Sequence, residues 1–512
     1  MYQIRNIILP ITSKLDLNHL IAQKLKLSKS DIEHVEILRR SLDARQKNHL
    51  KLNFTVKAEI LKKIKLNNDV QIYKEPEPYI NSNFQISDPN PFIIGAGPAG
   101  LFAALSLVEK GFQPYIFDRG DCLEKRAEKV ADYWKSGKLD PESNVQFGEG
   151  GAGTFSDGKL TSRKSDYYTN QVTNYLIEFG APEEISYEAH PHLGTDGIRK
   201  IVLNIRKFLE ANGCKFFWNY KLENISIKNN KVESVIINNE SYQPEALILA
   251  LGNATRDTFE LLSRKIEMES KPFAVGFRIE HPQEFINETF FGKRNDFSIT
   301  GPASYRLTAK TKNRGIYSFC MCPGGQVIGS ASEPDSIVTN GMSNSERNGK
   351  FGNSAIVVTV NENDYGKEIL AGMHFQRNLE QTCFKPELPY FAPAQNAADF
   401  MNSTPSSNKM KTSYLPDTYI HDLNSIFPTG INSALKSGMK KFETLAKGFI
   451  EKGIFLAPET RTSSPVRIIR DKVTLNSLTA SNLFPCGEGA GFAGGIMSSA
   501  ADGFKVGSQF YR

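Results

Sequence analysis

The chain has 512 residues, 40% of them hydrophobic and 23% charged, so it can bury a core without disulfides or metals. No run of about 18 apolar residues occurs, which excludes an ordinary membrane-spanning helix, and the six scattered cysteines argue for a reduced, cytoplasmic set rather than a disulfide framework. The formal net charge is +6, and residues 1–80, with 15 Lys+Arg and 9 Asp+Glu, carry all of it.

In chain order, residues 3–11 read as a strand rather than a signal peptide. Asp16 is a fitting N-cap for a helix in LNHLIAQKLKL. Residues 33–40 and 50–60 read as strands, so residues 1–80 form a small α+β domain of βαββ pattern. Its basic charge marks either an anionic partner, nucleic acid included, or a solvated face that serves solubility, the plainer reading. The segment KEPEPYINSNFQISDPNP reads as a linker.

The pattern then changes. PFIIGAGPAG is a short buried strand running into a glycine turn, LFAALSLVEKG a helix ending at Gly111, and PYIFDRG a second strand. Such a βαβ unit belongs to a parallel sheet covered on both faces. A helix over 197–212, strands within 215–238 and a buried strand in 245–252 follow. Residues 256–450 are strand-rich, and a helix over about 433–452 leads to C-terminal strands and loops.

The strongest motif is Gly95-Ala96-Gly97-Pro98-Ala99-Gly100. Gly95 permits the tight turn, Gly97 lets a pyrophosphate approach the backbone, and Gly100 lets helix and strand pack closely. The helix start favours phosphate. Asp118 ends the next strand, where an acid holds ribose hydroxyls; its charge argues against a 2′-phosphate, and Arg119 follows it.

Three further segments favour FAD over NAD. The first, 144–160, brings Gly151, Gly153, Thr154, Ser156, Gly158, Lys159 and Leu160, whose glycines let backbone N–H groups line a large ligand. The second is the strand end LALGNAT with Gly252. The third is LFPCGEGAGFAGGIMSSAADG, with Gly487, Glu488, Gly494, Gly495, Ile496 and Met497; Glu488 is placed to accept from ribityl hydroxyls, and the helix start to face the flavin.

GAGPAGLFAA, LILALGNATRDT and LFPCGEGAGFAGGIMSSAADG together resemble the glutathione-reductase-type FAD fold with one nucleotide domain and an inserted cap. NVQFGEGGAGTFSDGKLTSR, KPFAVGFRIEHPQ, YSFCMCPGGQVI, ETRTSSPVRIIR and RRSLDARQKN are similar to the bacterial FAD-dependent dehydrogenase family. The resemblance implies FAD binding and a redox role. The expected fold is α/β: a Rossmann-like FAD-binding domain with three layers around a parallel sheet, in two parts (81–255 and 450–512). An inserted strand-rich cap or substrate domain (256–449) and the N-terminal domain (1–80) complete it. Asp118 stands where many flavoproteins of this fold carry Glu; either carboxylate can hold ribose hydroxyls.

No catalytic set is defined. Cys320 and Cys322, one residue apart, are either a redox relay or two buried structural thiols; in a regular strand both face one side. Arg461 and Arg467 are candidates to anchor an anionic substrate or stabilise reduced flavin. His192, beside His190, is a candidate acid or base, and no metal-ligand spacing accompanies it. The expected function is an FAD-dependent oxidoreductase acting on an unidentified small molecule or redox partner. Only one glycine fingerprint is present, so NADH or NADPH would dock transiently. The rivals are a tRNA-modifying flavoprotein and a non-catalytic FAD-binding module.

Overall fold

The computed structural model describes all residues except 79–83, 162–165 and 294–296, together with the side chains of 298 and 299. The N-terminal strands Tyr2–Pro10, Ile32–Asp43 and Lys51–Ile60 flank a helix over Leu17–Leu25. Asp16 caps that helix, accepting from the His19 N–H at 2.9 Å. A short fourth strand, Val70–Ile72, pairs with Tyr2–Pro10 and extends the expected βαββ unit. Ile4, Ile7, Ile21, Phe54 and Val56 form its own core. Lysines 24, 29, 57 and 62 are paired with acids of the same segment, which accounts for part of the basic charge as surface ion pairs.

Part of the expected linker forms a strand: Phe84–Gln85 pairs in parallel with Phe510–Tyr511 at the far end of the chain. Residues 79–83 of that linker lie outside the described residues. The strand Phe92–Ile94 then enters a five-stranded parallel sheet. Across it the strands run Leu483–Pro485, Leu247–Leu249, Phe92–Ile94, Tyr115–Asp118 and Lys215–Trp218. The strands Leu483–Pro485, Leu247–Leu249 and Phe92–Ile94 are apolar and wholly buried because both faces are covered, while the edge strand Lys215–Trp218 is only partly buried. The helix Pro98–Glu109 is buried from Ala99 to Leu107. It is held between the sheet and the helix Ile496–Gly507, and a Cβ on Gly503 would stand 1.9 Å from the Ala99 carbonyl oxygen. On the helix Gly194–Ala211, Ile198, Ile201, Val202, Ile205 and Leu209 form one apolar stripe.

Residues 273–459 build an eight-stranded mixed sheet. Its central strand, Phe273–Pro282, pairs with Phe351–Val360 on one side and Ile454–Glu459 on the other. The helix Thr429–Leu445 covers it, packing Ile431, Leu435, Met439 and Phe442 into one core with Phe277, Ile356 and Val358. Residues 256–450, expected to be strand-rich, are also substantially helical: Arg256–Leu262, Gln283–Phe290 and Ala371–Thr382 all form helices. Short amphipathic helices between strands share apolar content with the strands, and composition alone does not separate them. No helix among the described residues is long and apolar enough to cross a membrane.

Candidate active site

One cavity of about 390 Å³ opens where the parallel sheet meets the mixed sheet. Gly95, Gly97, Pro98 and Ala99 line one end. Gly95 has φ +107°, and a Cβ there would stand 2.3 Å from the Ala250 carbonyl oxygen, so the turn admits only glycine. Gly100 does not line the cavity: its Cβ would meet the Gly95 carbonyl at 1.9 Å, so its absence lets helix and strand close up. Two helices begin at the cavity, capped by Gly97 and Gly495. Their N-terminal N–H groups and dipoles favour anionic groups there.

Asp118 ends its strand at the cavity wall. Its carboxylate accepts from the Ala96 N–H at 2.8 Å and the Gly120 N–H at 2.9 Å. Burial pushes its pKa up, against the pull of those donors and of Arg126 and Arg119. Arg119 is tied to Asp257 and Glu142 and lies 4.3 Å over the Phe147 ring, which fixes this wall.

The glycine-rich segment is organised by Arg126, a residue the sequence reading missed. Its side chain is fully buried on the helix Leu123–Ser136. Its guanidinium donates to the carbonyls of Asn144 (2.8 Å), Val145 (3.0 Å), Gly148 (3.3 Å), Glu149 (2.6 Å) and Gly151 (3.0 Å), and to Thr154 Oγ1 (2.8 Å). Burial lowers its pKa to about 9. The signal was legible: Leu123, Arg126, Val130 and Tyr133 share one buried helical face, and an arginine on such a face needs buried acceptors. Thr154 is therefore a partner of Arg126 rather than a cavity residue, and Leu160 is core. Gly151, Gly153, Ser156, Gly158 and Lys159 do line the cavity.

Gly252, Glu488, Gly494, Gly495 and Ile496 form the opposite wall. Asn253 Nδ2 donates to Glu488 Oε1 at 2.7 Å. Burial raises Glu488 to about 7, opposed by Lys271 and Asn253. Gly487 is instead bound through its N–H to Asp502 at 2.8 Å, and Met497 packs in the core.

At the mixed-sheet end the cavity is lined by Cys320, Glu459 and Arg461. The two cysteines do not follow simple strand alternation. Cys320 has φ +46°, and the four residues 319–322 stand opposite only three, 353–355, on the partner strand. This bulge re-aims the strand, so Cys320 lines the cavity while Cys322 is fully buried. Lys159 Nζ is 2.9 Å from Asp157 Oδ2 and 3.6 Å from Cys322 Sγ. The neighbouring Cys322 thiol holds Cys320 below the ordinary thiol value, helped by Lys159 and Arg278 against burial, and Cys322 is pushed up in turn.

Glu459 was not anticipated. It pairs with the buried Arg278, yet burial raises it to about 7. Arg461 donates to Glu380 and to Ser332 Oγ (2.6 Å); Glu380, fully buried, also holds Arg256. Arg467 lies away from the cavity and pairs with Glu269 at 2.8 Å. His192 lies outside the lining, its Nε2 3.1 Å from the Ser345 carbonyl oxygen, and burial lowers its pKa.

The walls suit a large dinucleotide. A Cβ on Gly252, Gly494 or Gly495 would meet nothing within 4 Å, so these glycines face open space. Thr255 Oγ1, in the lining, is buried without a partner among the described residues.

Comparison with known proteins agrees with this chemistry. The family described as FAD-dependent protein, C-terminal domain-like, matches residues 272–462, and a domain of unknown function matches residues 1–59. An uncharacterized protein of Clostridium beijerinckii is 43% identical over 519 residues, covering 98% of this chain and 97% of that one. The chain belongs to the same family as that protein, and FAD is its cofactor. Among solved structures, CtdE in complex with FAD aligns with a TM-score of 0.30 at 10% identity, over 82% of this chain and 83% of that one. A geranylgeranyl bacteriochlorophyll reductase-like protein of Thermoplasma acidophilum aligns with a TM-score of 0.35 at 11% identity, over 81% and 76%. Neither likeness says what this chain does.

Proposed function

We propose that the protein is an FAD-dependent oxidoreductase that passes hydride or electrons between its flavin and a small-molecule substrate or redox partner. The observation that carries this is one cavity lined at one end by the Gly95–Ala99 turn and Asp118, and at the other by Cys320, Glu459 and Arg461. In this reading the glycine turn and its helix start bind the pyrophosphate, and Asp118 holds the adenosine ribose. Thr255 and Glu488 supply polar partners along the ribityl chain. The start of the helix Ile496–Gly507 would stabilise negative charge on a bound flavin. The fold would then be Rossmann-like and of the glutathione-reductase type, with the mixed sheet as the cap or substrate domain.

Bound FAD supplies two-electron and one-electron redox chemistry that the side chains lack. The chain's own groups exclude water, through the buried walls, and manage charge. Glu459, near neutrality in pKa and open to the cavity, holds or releases a proton at its carboxylate. Arg461, oriented by Glu380 and Ser332, presents a fixed cation to an anionic substrate group.

The test is the visible spectrum of the purified protein under anaerobic titration with NADH, then NADPH. Flavin bands near about 375 and 450 nm establish the chromophore. Bleaching by a nicotinamide makes the protein a reductase with transient nicotinamide docking. Flavin that stays oxidised with nicotinamides but bleaches with a substrate makes it a dehydrogenase. A colourless protein that cannot be reconstituted with FAD overturns the reading.

A further inference from the structure

Cys320 and Cys322 sit where the cavity meets the mixed sheet, and their geometry is not that of two packed structural thiols. Cys320 is a non-glycine residue in left-handed conformation at φ +46°, inside a strand. Such a residue persists only where its surroundings fix it, and here two contacts and the strand register do so. Arg278 Nη1 donates to the Cys320 carbonyl oxygen at 2.9 Å, the Cys322 thiol approaches that same oxygen at 3.3 Å, and the bulge holds the register. In a flat strand, residues two apart stand about 6.6 Å apart, near the upper end of what a disulfide spans. The bulge breaks that regular spacing, and the Cys322 thiol turns back onto its neighbour, donating to the Cys320 carbonyl oxygen at 3.3 Å. Two cations face them: Lys159 Nζ, 3.6 Å from Cys322 Sγ, and the wholly buried Arg278. Lys159 is itself anchored on Asp157, which Arg347 and Ser343 hold in place.

A buried cysteine that serves only packing behaves as a neutral apolar residue, and nearby cations have no purpose for it. Thiolate chemistry needs them, because the thiolate is the reactive form and positive charge stabilises it. Cys214 and Cys383 show the contrast: burial pushes both thiols up, and no cation opposes it.

We propose that Cys320 and Cys322 form a dithiol–disulfide pair that exchanges two electrons with the bound flavin. This rests on the flavoprotein reading above. From dithiol to disulfide, the two S–H bonds break and one Sγ–Sγ bond forms. The electron pair and both protons pass to oxidised FAD. In the reverse direction the disulfide accepts the same two electrons and two protons from reduced FAD, and the Sγ–Sγ bond breaks. Cys320 opens on the cavity and is the sulfur that communicates with it; Cys322 is the partner behind it. Lys159 is a positioning residue that holds the thiolate charge.

The test counts thiols in the full-length holoprotein. Air-oxidised protein is denatured in N-ethylmaleimide, and so is protein reduced anaerobically with a phosphine. Mass spectrometry counts adducts on the six cysteines. The expected result is two fewer adducts after oxidation, both missing from the peptide holding Cys320 and Cys322. All six are alkylated after reduction. Anaerobic dithionite titration then gives twice the reducing equivalents per flavin in the wild type as in Cys320→Ser. The alkylation count needs no variant, so a misfolded Cys320→Ser does not obscure it. Six adducts in both states, a protected pair elsewhere, or equal uptake in wild type and a folded Cys320→Ser overturns the proposal. Flavin that is present and reducible while all six thiols alkylate overturns the dithiol alone; absence of FAD overturns both readings.

Discussion

Arg278 Nε donates to Glu459 Oε2 at 2.9 Å, and this buried pair joins the central strand of the mixed sheet to the wall of the cavity. Arg278 also holds Asn353 and Asn340 through its remaining donors. Removing one partner leaves an uncompensated buried charge. Arg278→Met is expected to cost about 3–5 kcal/mol, measured by urea unfolding, whereas Arg278→Met with Glu459→Leu recovers most of that loss. A single variant as stable as wild type would show the pair to be hydrated.

Arg126 is the clamp of the glycine-rich wall, and its fork reaches five carbonyls and a hydroxyl. A lysine has one ammonium and cannot reproduce that span. Arg126→Lys leaves buried carbonyls unpaired and is expected to cost about 3 kcal/mol of stability. Flavin affinity, followed by fluorescence on dilution, is expected to fall by about 10-fold or more, since about 1.4 kcal/mol is tenfold in binding.

Glu488 titrates near about 7 in the folded protein, above the ordinary carboxyl value, because burial outweighs Lys271 and Asn253. Between its ordinary pKa and about 7 the folded state holds a proton that the unfolded state releases. Its contribution to stability is therefore complete at low pH and is lost as pH rises through that window. The melting temperature of flavin-free wild type, compared at about pH 5 and about pH 8, is expected to fall more steeply than that of Glu488→Gln. Parallel slopes would remove Glu488 from the pH response.

Arg461 and Arg467 stand six residues apart in one polar stretch, and the fold gives them opposite weight. Arg461 faces the cavity from a buried ion-pair network around Glu380, whose pKa the arginines hold at about 2 against burial. Arg461→Ala is expected to cost about 3 kcal/mol and to weaken turnover of an anionic substrate. Arg467→Ala, which loses a surface pair to Glu269, is expected to stay within about 1 kcal/mol of wild type and to keep its flavin spectrum. Equal effects in the two variants would contradict this division.

What the sequence determined by itself was local. The turn Gly95–Gly100 needs a close approach of backbone to backbone, which only glycine permits, and an acid ending the next strand is readable from spacing. The stripe of Ile198, Ile201, Ile205 and Leu209 announces its helix, because helical periodicity is a short-range property. Tertiary structure decided what neighbours in sequence do not know of each other. Thr154 and Leu160 sit in the same segment as Gly153 and Lys159, yet turn inward, because Arg126 and the core claim them. Glu459 gained its place through pairing with a strand about 180 residues away, the range at which Arg278 holds it. The bulge at Cys320 broke the alternation that would have put both cysteines on one face. Burial, pKa and cavity lining are sums over many distant groups, and only the folded chain adds them up.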